Sequence, residues 1–308
     1  MADSSGNVLF NYRTLVHAVA GAAGSVFAMA SFFPLDTVRS RLQLDENCEA
    51  KNTLSVMRDL ITEEGVGTLY RGVVPVLKTL CTSNFVYFYT FHGLRALRGR
   101  AEDQSALRDL LLASVAGVVN VLVTTPLWVV NTRLKMKGLQ NSSDKRDLEY
   151  SGLIDGVLAV GREEGLRGLW SGTLPSLMLV SNPAIQFMTY ETLKRRLHRA
   201  YGPEEFAGVV YFLVGAVAKA VATALTYPLQ LVQTRLRHGR DNENARVRPT
   251  MLQLLTTIMR RHGVQGLFKG MEAKIIQTIL TAALMFATYE KIANFVFRLL
   301  LNNSAAKA

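Results

Sequence analysis

Six long apolar stretches run along the chain, over residues 12–43, 73–99, 107–137, 173–199, 207–237 and 271–301. Shorter segments near 53–64, 151–164 and 250–262 separate the members of each pair, and there apolar and charged residues alternate at helical spacing. Apolar runs of this length predict helices approaching the ~20 residues that cross a bilayer. The short segments predict amphipathic helices lying at a membrane interface. Leu110 to Val130 comes nearest to an unbroken span, and Lys, Arg, Asn or Pro interrupt several of the others. Such helices have to turn their polar side chains toward an interior.

The pattern has a period. Pro-Leu-x-x-Val-x-x-Arg-Leu begins at Pro34, Pro126 and Pro228, and Gly-x4-aromatic-x-Gly follows it at Gly65, Gly165 and Gly263. Two independent motifs in the same order three times define three repeats, 12–99, 107–199 and 207–301. The predicted fold is an all-α membrane protein: six transmembrane helices in three pseudo-threefold repeats, with short interfacial helices. A proline inside a helix removes a donor and kinks it, so Pro34, Pro126 and Pro228 are expected to bend three equivalent helices toward one axis. Small residues four apart, Ala20 with Gly24 and Ala113 with Gly117, are expected to let neighbouring helices approach closely. The expected shape is a funnel closed at one end.

Composition agrees, with 49% apolar residues and a mean hydropathy of +0.17. The net charge of +11 narrows the partners. Basic residues are scattered among helix ends and apolar segments, without the single basic face that nucleic acid requires, so anionic lipid and small anionic substrates are the expected partners. Cys48 and Cys81 make neither a disulfide framework nor a metal-ligand cluster. The N-terminus reads as neither secretory signal nor presequence, so insertion is expected to rely on internal segments. No Walker motif, catalytic triad or metal site is evident, so neither an enzyme nor an ATP-driven pump is expected.

The two motifs resemble those of the mitochondrial carrier family, Pro-x-acid-x-x-base-x-base and acid-Gly-x4-aromatic-base-Gly, over nearly the whole chain. Longer stretches, among them Phe32 to Asp36, Ser83 to Tyr89, Ser181 to Met188 and Ala216 to Ala220, resemble the family's peroxisomal members. The resemblance implies a transporter of CoA, FAD, NAD and adenine nucleotides as substrates, with no bound cofactor, in the peroxisomal membrane with both termini cytosolic. The positive-inside rule alone would put the long basic loops in the cytosol instead. Peroxisomal membrane-protein import factors would be further partners. Two other readings stay open: a mitochondrial inner-membrane carrier for another anion, and a non-transporting scaffold or import receptor with the carrier fold.

The resemblance also implies two gates built from pairs between repeats. At the inner gate the acid and base positions are Asp36 and Arg39, Trp128 and Asn131, and Gln230 and Gln233; only the first repeat keeps both charges. The implied pairs are Asp36 with Asn131, Trp128 with Gln233, and Gln230 with Arg39, braced by Gln43, and the gate is expected to be loosely held. The positions matching Gln43 are Lys135 and Arg237. At the outer gate, Tyr190, Glu191 and Lys194 match the pattern in full, Glu290 keeps the acid but has Ala293 at the basic position, and His92 stands at the acid position with the base Arg95 kept. One salt bridge, Glu290 with Arg95, and one polar contact, His92 with Lys194, are implied, with Glu191 facing Ala293. A lone His92 without a companion cluster fits a structural role better than a metal ligand or base.

Substrate is implied between the gates, at Thr79, Leu179 and Gln277, with Lys78, Met178, Val180 and Thr278 beside them. That set is unusually uncharged. The residues themselves offer Lys219, an ionisable side chain deep in an apolar helix, which is a functional-site hypothesis by default. Lys78 and Lys274 are similar candidates. Asn84, Asn120 and Asn182 could read an adenine edge or join helices by hydrogen bonds, and Tyr87 and Phe88 could stack on a flat ring or pack against neighbours.

Overall fold

A computed structural model describes residues 27–44, 52–97, 106–136, 152–202, 206, 208–239, 249–281 and 283–284. No strand occurs among them. The first repeat contributes α1 (Phe33–Leu44), α2 (Thr53–Glu64), a 3-10 turn (Val66–Tyr70) and α3 (Val73–Leu97). The second contributes α4 (Ala106–Met136), α5 (Leu153–Glu163), α6 (Gly165–Leu169), α7 (Thr173–Leu179) and α8 (Asn182–Tyr201). The third contributes α9 (Gly208–His238) and α10 (Met251–Leu267), followed by a helix described over 271–281. Among the described residues, two segments are long and apolar enough to cross a membrane, Arg108–Met136 and Gly208–His238.

The positions of the proline motif explain its form. Its Val and final Leu lie four apart on one helical face and pack against the short amphipathic helix of the same repeat. Val38 and Leu42 meet Val56 and Leu60 of α2; Val130 and Leu134 meet Val160 of α5; Val232 and Leu236 meet Leu254 and Ile258 of α10. The motif Arg lies on another face and reaches the acid before the second motif. Arg41 donates to Glu64 at 3.0 Å, and Arg133 makes a bidentate pair with Glu164 at 2.8 Å for both bonds. Each repeat is thereby one packed corner, with an apolar seam on one side and an ion pair on the other in the first two.

The prolines act differently in the three copies. Ahead of Pro34 the helix breaks at Phe32, whose carbonyl accepts from Leu35 N–H at 3.2 Å, but α4 and α9 run through Pro126 and Pro228. In α4, proline leaves the Leu122 carbonyl without its helical donor, and the Trp170 indole N–H takes that carbonyl at 2.9 Å. Trp170 is the aromatic of the second motif, so the two motifs are in contact. Their counterparts meet as stacked rings, Phe33 on Tyr70 and Tyr227 on Phe268.

The single helix predicted over 173–199 is in fact two, α7 and α8. Val180 and Ser181 N–H bond three residues back, to Leu177 and Met178 carbonyls at 3.1 and 3.2 Å. Pro183 has no N–H to continue the ladder, so hydrogen bonding restarts there. The Ala113 and Gly117 expectation holds at Gly117, where an added Cβ would lie 2.9 Å from Val180 Cγ1. Ala20 and Gly24 lie outside the described residues.

The three apolar seams should dominate the stability of each corner. Ile258 is 1% exposed in the third seam, and Ile258→Ala is expected to cost about 2–5 kcal/mol. Arg260→Ala, at an exposed position of the same helix, should leave stability unchanged. The midpoint of thermal unfolding in detergent checks both.

Candidate functional site

At the end of the bundle where the proline motifs converge, the three repeats are tied in a ring. Asp36 of repeat 1 is paired with Lys135 of repeat 2, whose ammonium also donates to the Asp36 carbonyl at 2.8 Å and lies 5.0 Å from the Phe33 ring centroid. Arg39, 3.7 Å from Asp36 on the same helix, donates to the Gln230 side chain of repeat 3 at 3.0 Å. Gln230 donates to Thr226 at 3.2 Å, and Asn182 of repeat 2 donates to the same hydroxyl at 2.7 Å. One polar chain thus begins and ends in repeat 2 and passes through the other two.

Of the three implied inner pairs, Arg39 with Gln230 is present. Asp36 does not meet Asn131. It is met one turn further along, by Lys135, because the longer lysine side chain reaches across and brings a charge that asparagine lacks. Asn131 is buried, and neither polar atom of its side chain has a partner among the described residues. Trp128 does not pair with Gln233. The Arg237 guanidinium lies 5.8 Å from its ring centroid, while Gln233 donates to Ser176 at 2.7 Å. Gln43 braces the ring by donating to the Tyr227 hydroxyl at 3.0 Å. Gln43, Lys135 and Arg237, which hold the same motif position, therefore each reach a neighbouring repeat.

The second motif's last glycine makes this closeness possible. Gly172 and Gly270 have φ of 78° and 80°, a left-handed conformation that suits glycine. A Cβ on Gly172 would stand 3.2 Å from both Arg237 Cγ and Gln233 O, and one on Gly270 would stand 3.3 Å from Leu42 Cβ. Each repeat is pressed on the next at the helix end that carries the gate. The motif arginines finish the joint: Arg133 donates to Arg237 O at 3.3 Å and Arg235 to Gln43 O at 2.9 Å, filling carbonyls at helix ends. Sequence reasoning missed Arg41, Glu64, Arg133 and Glu164. The signal was an acid before Gly65 and Gly165 opposite a recurrent Arg, and His262 in the third copy obscured it.

At the opposite end the implied contact of His92 with Lys194 is not made. His92 stacks on Phe88 at 6.3 Å and meets Phe91 edge-on, whereas Lys194 lies 5.6 Å from the Tyr211 ring centroid. The ammonium is engaged at the face of Tyr211 instead of at His92. Glu191 lies 3.7 Å from Arg195, one turn along its own helix. Arg95 is exposed, and its implied partner Glu290 lies outside the described residues, as does Ala293.

A cavity of about 510 Å³ is lined by Lys219 of α9 and by Lys274, Gln277 and Thr278 of the helix after Gly270, together with Gln186 of α8 and Met29 ahead of α1. All three repeats contribute to it. Gln277 is buried, with its amide oxygen unpartnered among the described residues, and Thr278 donates to the Lys274 carbonyl at 2.7 Å. A second cavity of about 270 Å³ is lined by Leu179, Trp128, Tyr87, Asn120 and Arg237 among others.

The remaining candidates are placed elsewhere. Lys78, Asn84 and Met178 are exposed and line neither cavity, and Thr79 is fully buried outside both. Asn182 is engaged with Thr226, and Asn120 exchanges hydrogen bonds with Ser83 at 3.0 and 3.1 Å, joining α3 to α4. These two asparagines take the helix-joining role. Tyr87 faces a cavity, whereas Phe88 is 55% exposed.

The pairing of Asp36 yields a direct test. Removing one partner of a buried ion pair costs about 3–5 kcal/mol, whereas replacing both with apolar groups can be neutral. Lys135→Met is therefore expected to lower the thermal midpoint sharply, and Asp36→Leu with Lys135→Met should recover most of the loss. Additive effects of the two substitutions would mean that the pair is not coupled.

Comparison with known proteins agrees with this geometry. The family model described as mitochondrial carrier protein matches residues 10–100, 102–201 and 205–299. The chain is 51% identical to peroxisomal membrane protein PMP34 of Mus musculus, covering 94% of this chain and 95% of that one. It is 32% identical to the peroxisomal nicotinamide adenine dinucleotide carrier of Arabidopsis thaliana, covering 95% and 98%. It is 27% identical to peroxisomal adenine nucleotide carrier 1 of Glycine max, covering 94% and 93%. With the family model repeated three times along it, and with gate and corner contacts in each copy, the chain belongs to the mitochondrial carrier family.

Proposed function

We propose that this chain is an antiporter that exchanges adenine-containing cofactors, CoA, FAD, NAD and AMP or ADP, by alternating access. It is a multi-pass protein of the peroxisomal membrane, like the relatives it matches end to end. The observation that carries the reading is the 510 Å³ cavity into which all three repeats project, with two lysines on its wall. Its volume is within the ~300–1,000 Å³ usual for small-molecule sites, and lysines at that depth supply the charge that a phosphate needs. Peroxisomal relatives named for carrying nicotinamide adenine dinucleotide and adenine nucleotides support the substrate class.

Alternating access needs one gate shut while the other opens. The inner ring is closed through Lys135, Asp36, Arg39 and Gln230, while His92 and Lys194 at the other end do not meet. This pattern supports a conformation entered from the His92 end. Passage consists of binding, gate exchange and release, with no covalent step.

Purified protein reconstituted in liposomes loaded with AMP should take up labelled CoA, FAD, NAD and AMP, and empty liposomes should not. Uptake of phosphate or other small anions alone would place the chain with carriers of another anion and overturn the proposal. Absence of any exchange would favour a scaffold that keeps only the fold.

A further inference from the structure

Resting on that reading, we infer that Lys219 and Lys274 form one anion subsite that takes a group with two clustered negative charges, a phosphomonoester or pyrophosphate, in preference to a singly charged phosphodiester. The two lysines line the same cavity, on adjacent helices of repeat 3. Neither has an acid within salt-bridge distance among the described residues. The carboxylate that acts on Lys274 at longer range is Asp36, and Lys135 already holds it. Arg39, Lys135 and Lys219 act on Lys274 as like charges. Four cations therefore answer to one carboxylate, and two of the four line this cavity.

Like charges gathered away from bulk water repel one another unless an anion joins them. A single negative charge leaves most of that excess in place. A dianionic phosphoryl group offers an oxygen to each lysine and removes more of it, through charge-assisted hydrogen bonds that are stronger than neutral ones. The lining residues from the other two repeats, Met29 and Gln186, bring no charge of either sign. Discrimination by charge then falls to the lysine pair, and the rest of the cavity is left to recognise shape.

The test compares AMP, its phosphate monomethyl ester and adenosine, first in the unaltered protein. Exchange into AMP-loaded liposomes should favour AMP over the singly charged ester by at least about tenfold, with adenosine inactive, and AMP should raise the thermal midpoint more than the ester does. Lys219→Gln and Lys274→Gln should each lower AMP exchange by about tenfold or more and ester exchange by less, so that the ratio of the two in the same AMP-loaded liposomes collapses. Lys274→Arg should retain it. Equal handling of AMP and its ester by the unaltered protein, in exchange and in thermal shift, would overturn the inference, and this result needs no variant to fold. Retention of the preference by both glutamine variants would overturn it as well. Failure of the unaltered protein to exchange any adenine cofactor would instead overturn the proposed function, an outcome visible before any variant is made.

Discussion

Asp36 is the carboxylate on which the closed end of this carrier depends. A charge removed from water has to be matched by a partner and by hydrogen bonds, because the cost of leaving it bare is several kcal/mol. Here the partner comes from another repeat. Lys135 crosses from α4 to Asp36, Arg39 on the next turn of α1 turns its other face to Gln230 of α9, and through Thr226 the line of contacts returns to Asn182 in repeat 2. Keeping one acid paired thus fixes the relative position of three repeats. The glycines that end the second motif make such reach possible by removing the side chains that would hold the helix ends apart.

Two levels of organisation meet at that ring. Inside a repeat, the motif Val and Leu build an apolar seam, and the motif Arg anchors an acid in the first two copies. Between repeats at that end of the bundle, contact rests on longer polar side chains at the ends of the same helices. Apolar seams are insensitive to small displacements, whereas hydrogen bonds and ion pairs weaken steeply with distance and angle. Each corner is suited to move as a unit while the ring between corners opens and reforms. That division is what alternating access asks of a structure, and it follows from which motif positions are apolar and which are long and polar.

Much of this was legible in the sequence, and the reason is repetition. Proline, glycine, Val and Leu positions recur three times because each corner solves the same packing problem, so the elements and their order could be read without coordinates. The gate partners were less legible. Whether Asp36 meets position 131 or position 135 is a difference of one helical turn, about 5.4 Å, which a lysine spans and a motif alignment does not resolve. Arg237 over Trp128 and Ser176 under Gln233 likewise depend on which side chain is long enough to arrive. Lys219 could be singled out because an ionisable group in an apolar helix is anomalous wherever it occurs. Lys274 sits four residues after Gly270, near the start of its helix, and only the folded arrangement brings it beside Lys219.

The gate and the cavity also share one electrostatic field, and this bears on how a ligand could influence closure. Lys274 is acted on both by Lys219 on the cavity wall and by Arg39, Asp36 and Lys135 in the ring. Under the inference above, an anion settling on the two lysines would lower the positive potential that Arg39 and Lys135 experience and would repel Asp36. The ring would then sit in a different field with ligand present than without it, through charge alone. A ligand shifts a conformational equilibrium only by its different affinity for the two states. In this chain that difference would arise because the lysines proposed to bind the ligand act on the charges that hold the inner end shut.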